Sequence, residues 1–442
     1  MRPVSLPEVA YGATAVRPHW GDLPLTLRTA IEDRFGARVT AATTAGGGFT
    51  RSFAAVVETS AGERAFLKAA PHSQAHAYAR EAVITSALPP EVPAPRPRWT
   101  LTTEDHFVLC LDAINGRLPG LPWTPEDLAA ALHAWRVTAD ALATPLAAGR
   151  PTTGLLPTSG PGTPTAPATP DQPATPSDPA TASGPATASG PARSTEPATA
   201  GEPATSTGPV TAGEPATLTG PITAGGAATS TGPDTAGGVG RSSGPRAPGW
   251  AEVFDGPAGR GALAVPGGLS ALGGLPTLSG IVRSELSWWS EVAGGRAPLP
   301  PAPPWVPARL EELAALEQAL PELVAGTGML HGDLRIDNIM IDTYGKAWLC
   351  DWSWPCLGAP WFDTVTLLVT AYASGLDVDL LLEPWAAPGA GVDGVLAAMG
   401  GYWLTRAAAG PSSASPHSRQ HQRFSGEQAL AWLASRRGWH RR

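Results

Sequence analysis

The chain is 442 residues long, 43% hydrophobic and mildly acidic, with a formal net charge of −8. That is ample apolar content for a sizeable core, and it excludes the basic surface that a nucleic-acid binder needs. No window approaches about eighteen unbroken apolar residues and residues 1–20 lack a signal-peptide pattern, so a cytoplasmic protein without a membrane partner is expected. Cys110, Cys350 and Cys356 are odd in number and lack metal-ligand spacing, which fits reduced, buried thiols.

The first informative element is Ala45-Gly46-Gly47-Gly48-Phe49-Thr50-Arg51-Ser52, a glycine-rich turn leading into a strand from Phe53 to Glu58. Ser60-Ala61-Gly62 makes a second turn, and Arg64 to Lys68 returns as another strand. Glycines allow backbone N–H groups close to phosphate oxygens, although a plain hairpin turn explains the run better when it is taken alone. Lys68 shifts that balance. It is one of only two lysines among thirty Lys plus Arg, and an ammonium point charge is not interchangeable with a planar guanidinium. Gln74 to Leu88 has helical spacing, with Ser73 as N-cap and Tyr78/Ala82 and Ala79/Val83 as i, i+4 pairs, and it carries Glu81. Phe107 to Ala113 is a further apolar strand. Thr124-Pro125-Glu126-Asp127 starts a helix: Thr caps, Pro occupies the first turn, and the acids meet the positive end of the dipole.

Residues 149–248 break the pattern. Pro, Ala, Thr, Gly and Ser dominate, and no aromatic residue occurs. Gly201 to Ala212, Gly213 to Ala224 and Gly225 to Ala236 are three copies of one unit. Tandem copies suggest a solenoid, but these units carry too few large aliphatic residues to bury a core by stacking. A disordered surface insertion is expected.

Globular patterning then resumes. Ile281 to Val292 and Ala308 to Val324 have helical spacing, and Leu310, Leu313, Leu316 and Leu320 form a core stripe. Next comes His331-Gly332-Asp333-Leu334-Arg335-Ile336-Asp337-Asn338, followed by two apolar runs about a turn, Ile339 to Ile341 and Ala347 to Cys350, and then Asp351-Trp352-Ser353. This is the layout of a kinase catalytic loop and its metal-binding strand. One Asp accepts the hydroxyl proton of an acceptor, and an Asn with a second Asp offers hard oxygen ligands to Mg²⁺. Leu367 to Ala373, Val395 to Ala408 and Glu427 to Ser435 are helical.

Gly332, standing where protein kinases usually carry Arg, and Asp351-Trp352-Ser353 in place of Asp-Phe-Gly make the chain resemble the aminoglycoside phosphotransferase family of small-molecule kinases. Gly358, Pro360 and Asp363 fit the continuation of that pattern. The resemblance covers about three quarters of the chain and implies an α+β, bilobal, protein-kinase-like fold. A nucleotide-binding N-lobe over residues 20–112 is a small antiparallel sheet with one helix. The larger, mainly helical C-lobe starts at 113–148 and continues over 249–442, after the insertion at 149–248. ATP and Mg²⁺ lie in the cleft, and Phe107 to Ala113 becomes the interlobe strand and hinge.

The resemblance implies the following roles. Asp333 is the catalytic base, and Asn338 and Asp351 hold metal. Lys68, set by Glu81, holds phosphates beneath Gly46, Gly47 and Gly48; a solvated surface role for Glu81 stays open. Arg335 reaches the γ-phosphate or is a surface or structural Arg. His331 and Asp363 support the loop. The expected function is ATP-dependent O-phosphotransfer to the hydroxyl of a small molecule. A non-catalytic nucleotide-binding module is the alternative. A protein kinase is disfavoured, because only residues 352–362 separate Asp351 from Asp363, leaving no room for an activation loop. A neutral or weakly charged metabolite suits the acceptor site better than a polycationic drug. Asp377, Asp379 and Asp393 make no clear acidic face, and the chain ends in a basic run from Arg436. Convergence of Glu285 or Glu427 on the site stays open. Oligomeric state is not implied by any motif.

Overall fold

The structure, a computed structural model, describes residues 3–143, 274–410 and 414–439. The repeat insertion, expected to be disordered, lies outside them. In the amino-terminal lobe five strands form one antiparallel sheet: β1 (Val39–Thr44), β2 (Phe53–Thr59), β3 (Arg64–Pro71), β4 (Pro97–Thr102) and β5 (His106–Asp112), in the order β1-β2-β3-β5-β4. Successive strand residues face opposite sides, so β5 feeds two cores. Val108 and Cys110 join Phe53, Val57 and Leu67 beneath helix α1 (Leu25–Phe35). Phe107, Leu109 and Leu111 face helix α2 (His76–Ala87), where Tyr78 and Ala82 pack.

The sheet lobe therefore has two helices, not the one expected. The sequence of α1 buries only Leu27 and Ile31, a single i, i+4 pair that is too short a pattern to announce a helix. Helix α2 also starts later than expected. His72–Gln74 form a 3-10 turn, Ala75 is the N-cap, and Ser73 caps nothing. That turn seats Ala75, fully buried, against the sheet.

The helical lobe contains α3 (Pro125–Ala141), α4 (Leu278–Glu285), α5 (Trp288–Ala293), α6 (Leu310–Leu323), α7 (Trp361–Ala373), α8 (Val378–Leu382), α9 (Gly389–Ala408) and α10 (Ser418–Arg437). Two small ribbons accompany them: β6 (Gly116–Arg117), β8 (Ile339–Asp342) and β9 (Ala347–Leu349) in one, and β7 (Gly328–Leu330) with β10 (Cys356–Gly358) in the other. Trp135, Trp289, Trp352 and Trp432 are fully buried in its core. Sheet lobe and helical lobe make the α+β, bilobal, protein-kinase-like architecture that the resemblance implied. No helix among the described residues is long and apolar enough to cross a membrane.

Local chemistry explains some helix boundaries. Thr124 Oγ1 accepts from Asp127 N at 3.2 Å and caps α3, with Pro125 at its first turn. The helix expected over 281–292 is two helices, broken at Leu286–Ser287. Buried Glu317 of α6 takes the N–H groups of Trp289 (3.0 Å) and Ser290 (2.9 Å), satisfying the start of α5 from outside it. Helices α9 and α10 begin well before the expected Val395 and Glu427. Their glycines face one another: a Cβ on Gly400 would press on Leu430, and one on Gly426 on Leu404.

Candidate active site

The catalytic loop leaves β7 at Leu330 and passes through a 3-10 turn, Ile336–Asn338, into β8. It is held from below by Asp363 in the first turn of α7. The carboxylate accepts His331 N at 2.8 Å and Gly332 N at 3.2 Å. Burial pushes the Asp363 carboxyl up to about 7, against the pull of those two N–H groups. His331 is fully buried, its ring 4.7 Å from that of Trp352. A carbonyl can only accept, so Nε2–H donates to Cys350 O at 2.9 Å. Burial lowers the imidazole pKa to about 4, so the ring is neutral near pH 7. Gly332 has φ +77, and a Cβ there would collide with the Trp354 carbonyl. An Arg in this place is excluded by that carbonyl.

Around this support the acids converge. Asn338 Nδ2 donates to Asp333 O at 2.8 Å and Oδ2 at 3.3 Å. Arg335 lies 3.3 Å from Asp333 and grips Asp337 with two bonds of 3.1 Å. Burial pushes the Asp333 carboxyl up to about 7, with Arg335 opposing. Asp351 sits at φ +65, a conformation that costs a non-glycine residue roughly 1–3 kcal/mol and is common at working sites. Its Oδ1 accepts from Ser353 Oγ at 2.6 Å and from Lys68 Nζ at 3.3 Å. Burial opposes its charge, but Lys68 and Ser353 outweigh that and hold its pKa at about 2.

Lys68 is paired with Leu109 in the sheet register, so it faces the α2 side of β3. There it meets Glu81 Oε2 at 2.6 Å. Glu81 belongs to the buried stripe Tyr78, Glu81, Ala82 and Thr85 and is only 1% exposed, which sets aside the solvated-glutamate reading. Burial disfavours the ammonium, yet Asp351 and Glu81 keep it charged. Lys68 thus ties the sheet lobe to the far end of the catalytic loop.

The glycine turn between β1 and β2 is packed in a way the sequence did not announce. Tyr11 to Arg17, ahead of the residues expected to form the N-lobe, runs across it. A Cβ on Gly46 would strike the Gly12 carbonyl, and one on Gly47 would press on Leu118 and the Tyr11 carbonyl. Arg17 donates to the carbonyls of Gly47 (3.1 Å) and Ser52 (3.0 Å), and Ala15 N donates to Gly46 O at 2.9 Å. Of the three glycines Gly48, at φ +88, lines the cavity beside Asp333, together with Phe49 and Thr50.

That cavity is about 350 Å³ and adjoins a second of about 310 Å³. Asp333, Arg335, Trp354, Trp403, Arg406 and Gln422 line both. The α10 wall, Ser418 to Ser425, lies ahead of the helix expected from Glu427. Arg419 and Gln422, three apart on one face, were the available signal. Asp377, Asp379, Asp393, Glu285 and Glu427 line neither cavity. Arg436 and Arg437 are not a free basic tail. They end α10 and pair with Asp379 and Asp393.

A sheet lobe and a helical lobe closing on a Lys-Glu-Asp ion-pair set beside a His-Gly-Asp loop define a kinase-type molecule. Residues 270–400 match the family model described as the phosphotransferase enzyme family, which bears out the resemblance carried by the loop and the Asp351-Trp352 strand. No curated protein sequence matches the chain. Among solved structures the chain is similar to a thermostable mutant of aminoglycoside phosphotransferase APH(4)-Ia in its apo form, with 11% identity, 92% of this chain and 98% of that chain covered, and a TM-score of 0.46. It is also similar to macrolide 2'-phosphotransferase MphH from Brachybacterium faecium (12% identity, 92% and 96% covered, TM-score 0.43). A third is aminoglycoside phosphotransferase APH(3'')-Id from Streptomyces rimosus (15% identity, 91% and 97% covered, TM-score 0.34). At these identities and scores no substrate is carried from them to this chain.

Proposed function

We propose that the protein transfers the γ-phosphate of Mg-ATP to a hydroxyl group of a small molecule. The observation that carries this reading is the joining of Lys68, Glu81 and Asp351 in one ion-pair set, from a strand, a helix and the loop that follows β9. The nucleotide belongs between the lobes, with Lys68 on its phosphates and the tip of the glycine turn, at Gly48, over them. Asp351 and Asn338 fit Mg²⁺: the Asp351 carboxylate is held ionised, its side chain is 39% exposed, and both residues line the cavity. The ion would neutralise charge on the transferring phosphate. Asp333, with a carboxyl near pH 7, accepts the acceptor's hydroxyl proton as its oxygen bonds to the γ-phosphorus and ADP leaves. Arg335 orients Asp333 and Asp337 and faces the same cavity.

The non-catalytic alternative gains nothing from this geometry, because each charged partner of the set is present and paired. The protein-kinase alternative is weakened by the chain after Asp351, which pairs at once as β10 with β7 and enters α7. ADP release should be followed with purified protein, Mg-ATP and a panel of hydroxyl compounds. Asp333→Asn should lower turnover by roughly 10²-fold or more while nucleotide affinity stays close to wild type. Equal turnover in Asp333→Asn would remove Asp333 as base.

A further inference from the structure

The walls of the cavity beside Asp333 are basic and aromatic, and their charge is not consumed by the catalytic acids. Arg335 is committed to Asp333 and Asp337, and Lys68 to Glu81 and Asp351. Arg406 and Arg419 are different: among the described residues neither has a carboxylate within ion-pair distance. Arg406 extends from the last turns of α9 and lines both cavities, its guanidinium carbon 5.9 Å from the Tyr402 ring. Arg419 of α10 donates to the carbonyls of Ala409 (3.2 Å) and Gly410 (3.1 Å) at the end of α9, and to Gln422 at 3.0 Å. Burial, and then the facing Arg406 charge, pull its pKa below the usual guanidinium value. Arg406 and Arg419 thus put two like charges into the lining of one cavity, which is unfavourable until an anion enters it. Ser418 Oγ, buried in the same wall, has no hydrogen-bond partner.

The first cavity also holds Gly48, Asn338 and Asp351, the phosphate and metal side, and Arg419 lines that one alone; the second holds Asp333, Arg406 and Gln422 without them, and so lies on the acceptor side of Asp333. Trp354, Trp403, Tyr402 and Phe362 supply apolar walls there.

We infer that the phosphate acceptor is a small hydroxyl compound bearing an anionic group, carboxylate or phosphate ester, with Arg406 as its principal anchor. This rests on the phosphotransferase reading and narrows the neutral or weakly charged acceptor expected from sequence to an anionic one. The hydroxyl lies at Asp333, the anionic end meets Arg406 with Arg419 and Gln422 behind it, and an apolar body stacks on Trp354 and Trp403. The hydroxyl O–H breaks, its proton passing to Asp333, and the new O–P bond forms as the bond to ADP breaks. Cavities of about 350 and 310 Å³ suit a single small metabolite.

The test uses the full chain with Mg-ATP and four groups of acceptors: hydroxycarboxylates, hydroxyl phosphate esters, neutral sugars, and amino alcohols with aminoglycosides. Turnover is expected in one of the two anionic groups, and which one responds distinguishes carboxylate from phosphate. The matching neutral amide or dephosphorylated compound should have a kcat/KM at least tenfold lower. Arg406→Gln should raise KM for the acid at least tenfold while changing kcat less, and Arg406→Lys should recover part of the loss. Turnover confined to neutral or cationic compounds overturns the inference. So does Mg-ATP binding with no turnover of any acid. Absence of Mg-ATP binding instead overturns the phosphotransferase reading, and this inference falls with it.

Discussion

At the scale of single residues the account turns on strain and burial around the loop. Gly332 combines φ +77 with a carbonyl where a Cβ would stand. Gly332→Ala should lower stability by about 2 kcal/mol or more, from a left-handed backbone plus a clash, and should lower kcat by displacing Asp333. Thermal unfolding with kcat measures both; a variant indistinguishable from wild type removes the steric reason for the glycine. His331 gives a prediction with a sign. Its folded pKa of about 4 lies below the ordinary 6.5, so the unfolded chain binds that proton more readily. The stability this contributes is complete above pH 6.5 and is lost as pH falls toward 4, by up to about 3 kcal/mol. Asp363 acts oppositely, since its raised pKa favours the folded state at low pH. The difference between variants isolates the histidine: His331→Gln should cost more stability at pH 7.5 than at pH 4.5, by denaturant titration. An equal cost at both values contradicts the buried neutral ring. Asp333, Asn338 and Asp351 were legible because loop chemistry demands those side chains at that spacing. The φ of Asp351 and the partner of Gly332 were not, because both depend on the backbone of Trp354 and its neighbours.

At the scale of elements, legibility followed the kind of signal each segment carries. Helix α3 was announced by a cap, a proline and two acids, all local. The β8–β9 hairpin was announced by apolar runs about a turn. Helices α9 and α10 start earlier than expected because Gly389, Gly391, Gly394 and Gly426 look like breakers in sequence, whereas several admit a neighbouring side chain that no local pattern records. The acceptor wall on α10 was missed for that reason. The Arg436 and Arg437 pairings join three elements: α8 through Asp379, α9 through Asp393, and α10 itself. The Asp393 side chain is only 11% exposed. Replacing both arginines with Ala should destabilise the fold by roughly 3 kcal/mol, the scale for stranding a buried charge, with kcat unaffected because neither lines the cavity. A loss of kcat without a loss of stability would place these residues at the site instead.

At the scale of the whole molecule, the described residues on either side of 144–273 are neighbours. Leu142 O, at the end of α3, accepts Met329 N at 3.1 Å, and Pro276 O, just before α4, accepts Leu357 N at 2.9 Å. Met329 and Leu357 are partners in the β7–β10 register. Leu142 and Pro276 are thus held at one ribbon, and closing a loop between them costs only about 0.6 kcal/mol more per doubling of length. Replacing residues 157–243 with a short Gly/Ser linker should leave the melting temperature and turnover nearly unchanged. A large fall in either would mean that the repeats support the fold or the site. The central claim, that the Lys68-Glu81-Asp351 set serves a metal-bound nucleotide, is tested most directly by calorimetric titration of a non-hydrolysable ATP analogue into wild type and Asp351→Asn, with and without Mg²⁺. The account predicts Mg²⁺-dependent binding in wild type, weakened at least tenfold in Asp351→Asn. Wild-type protein that binds no nucleotide in the presence of Mg²⁺, or binds equally well without the ion and without the carboxylate, would contradict it.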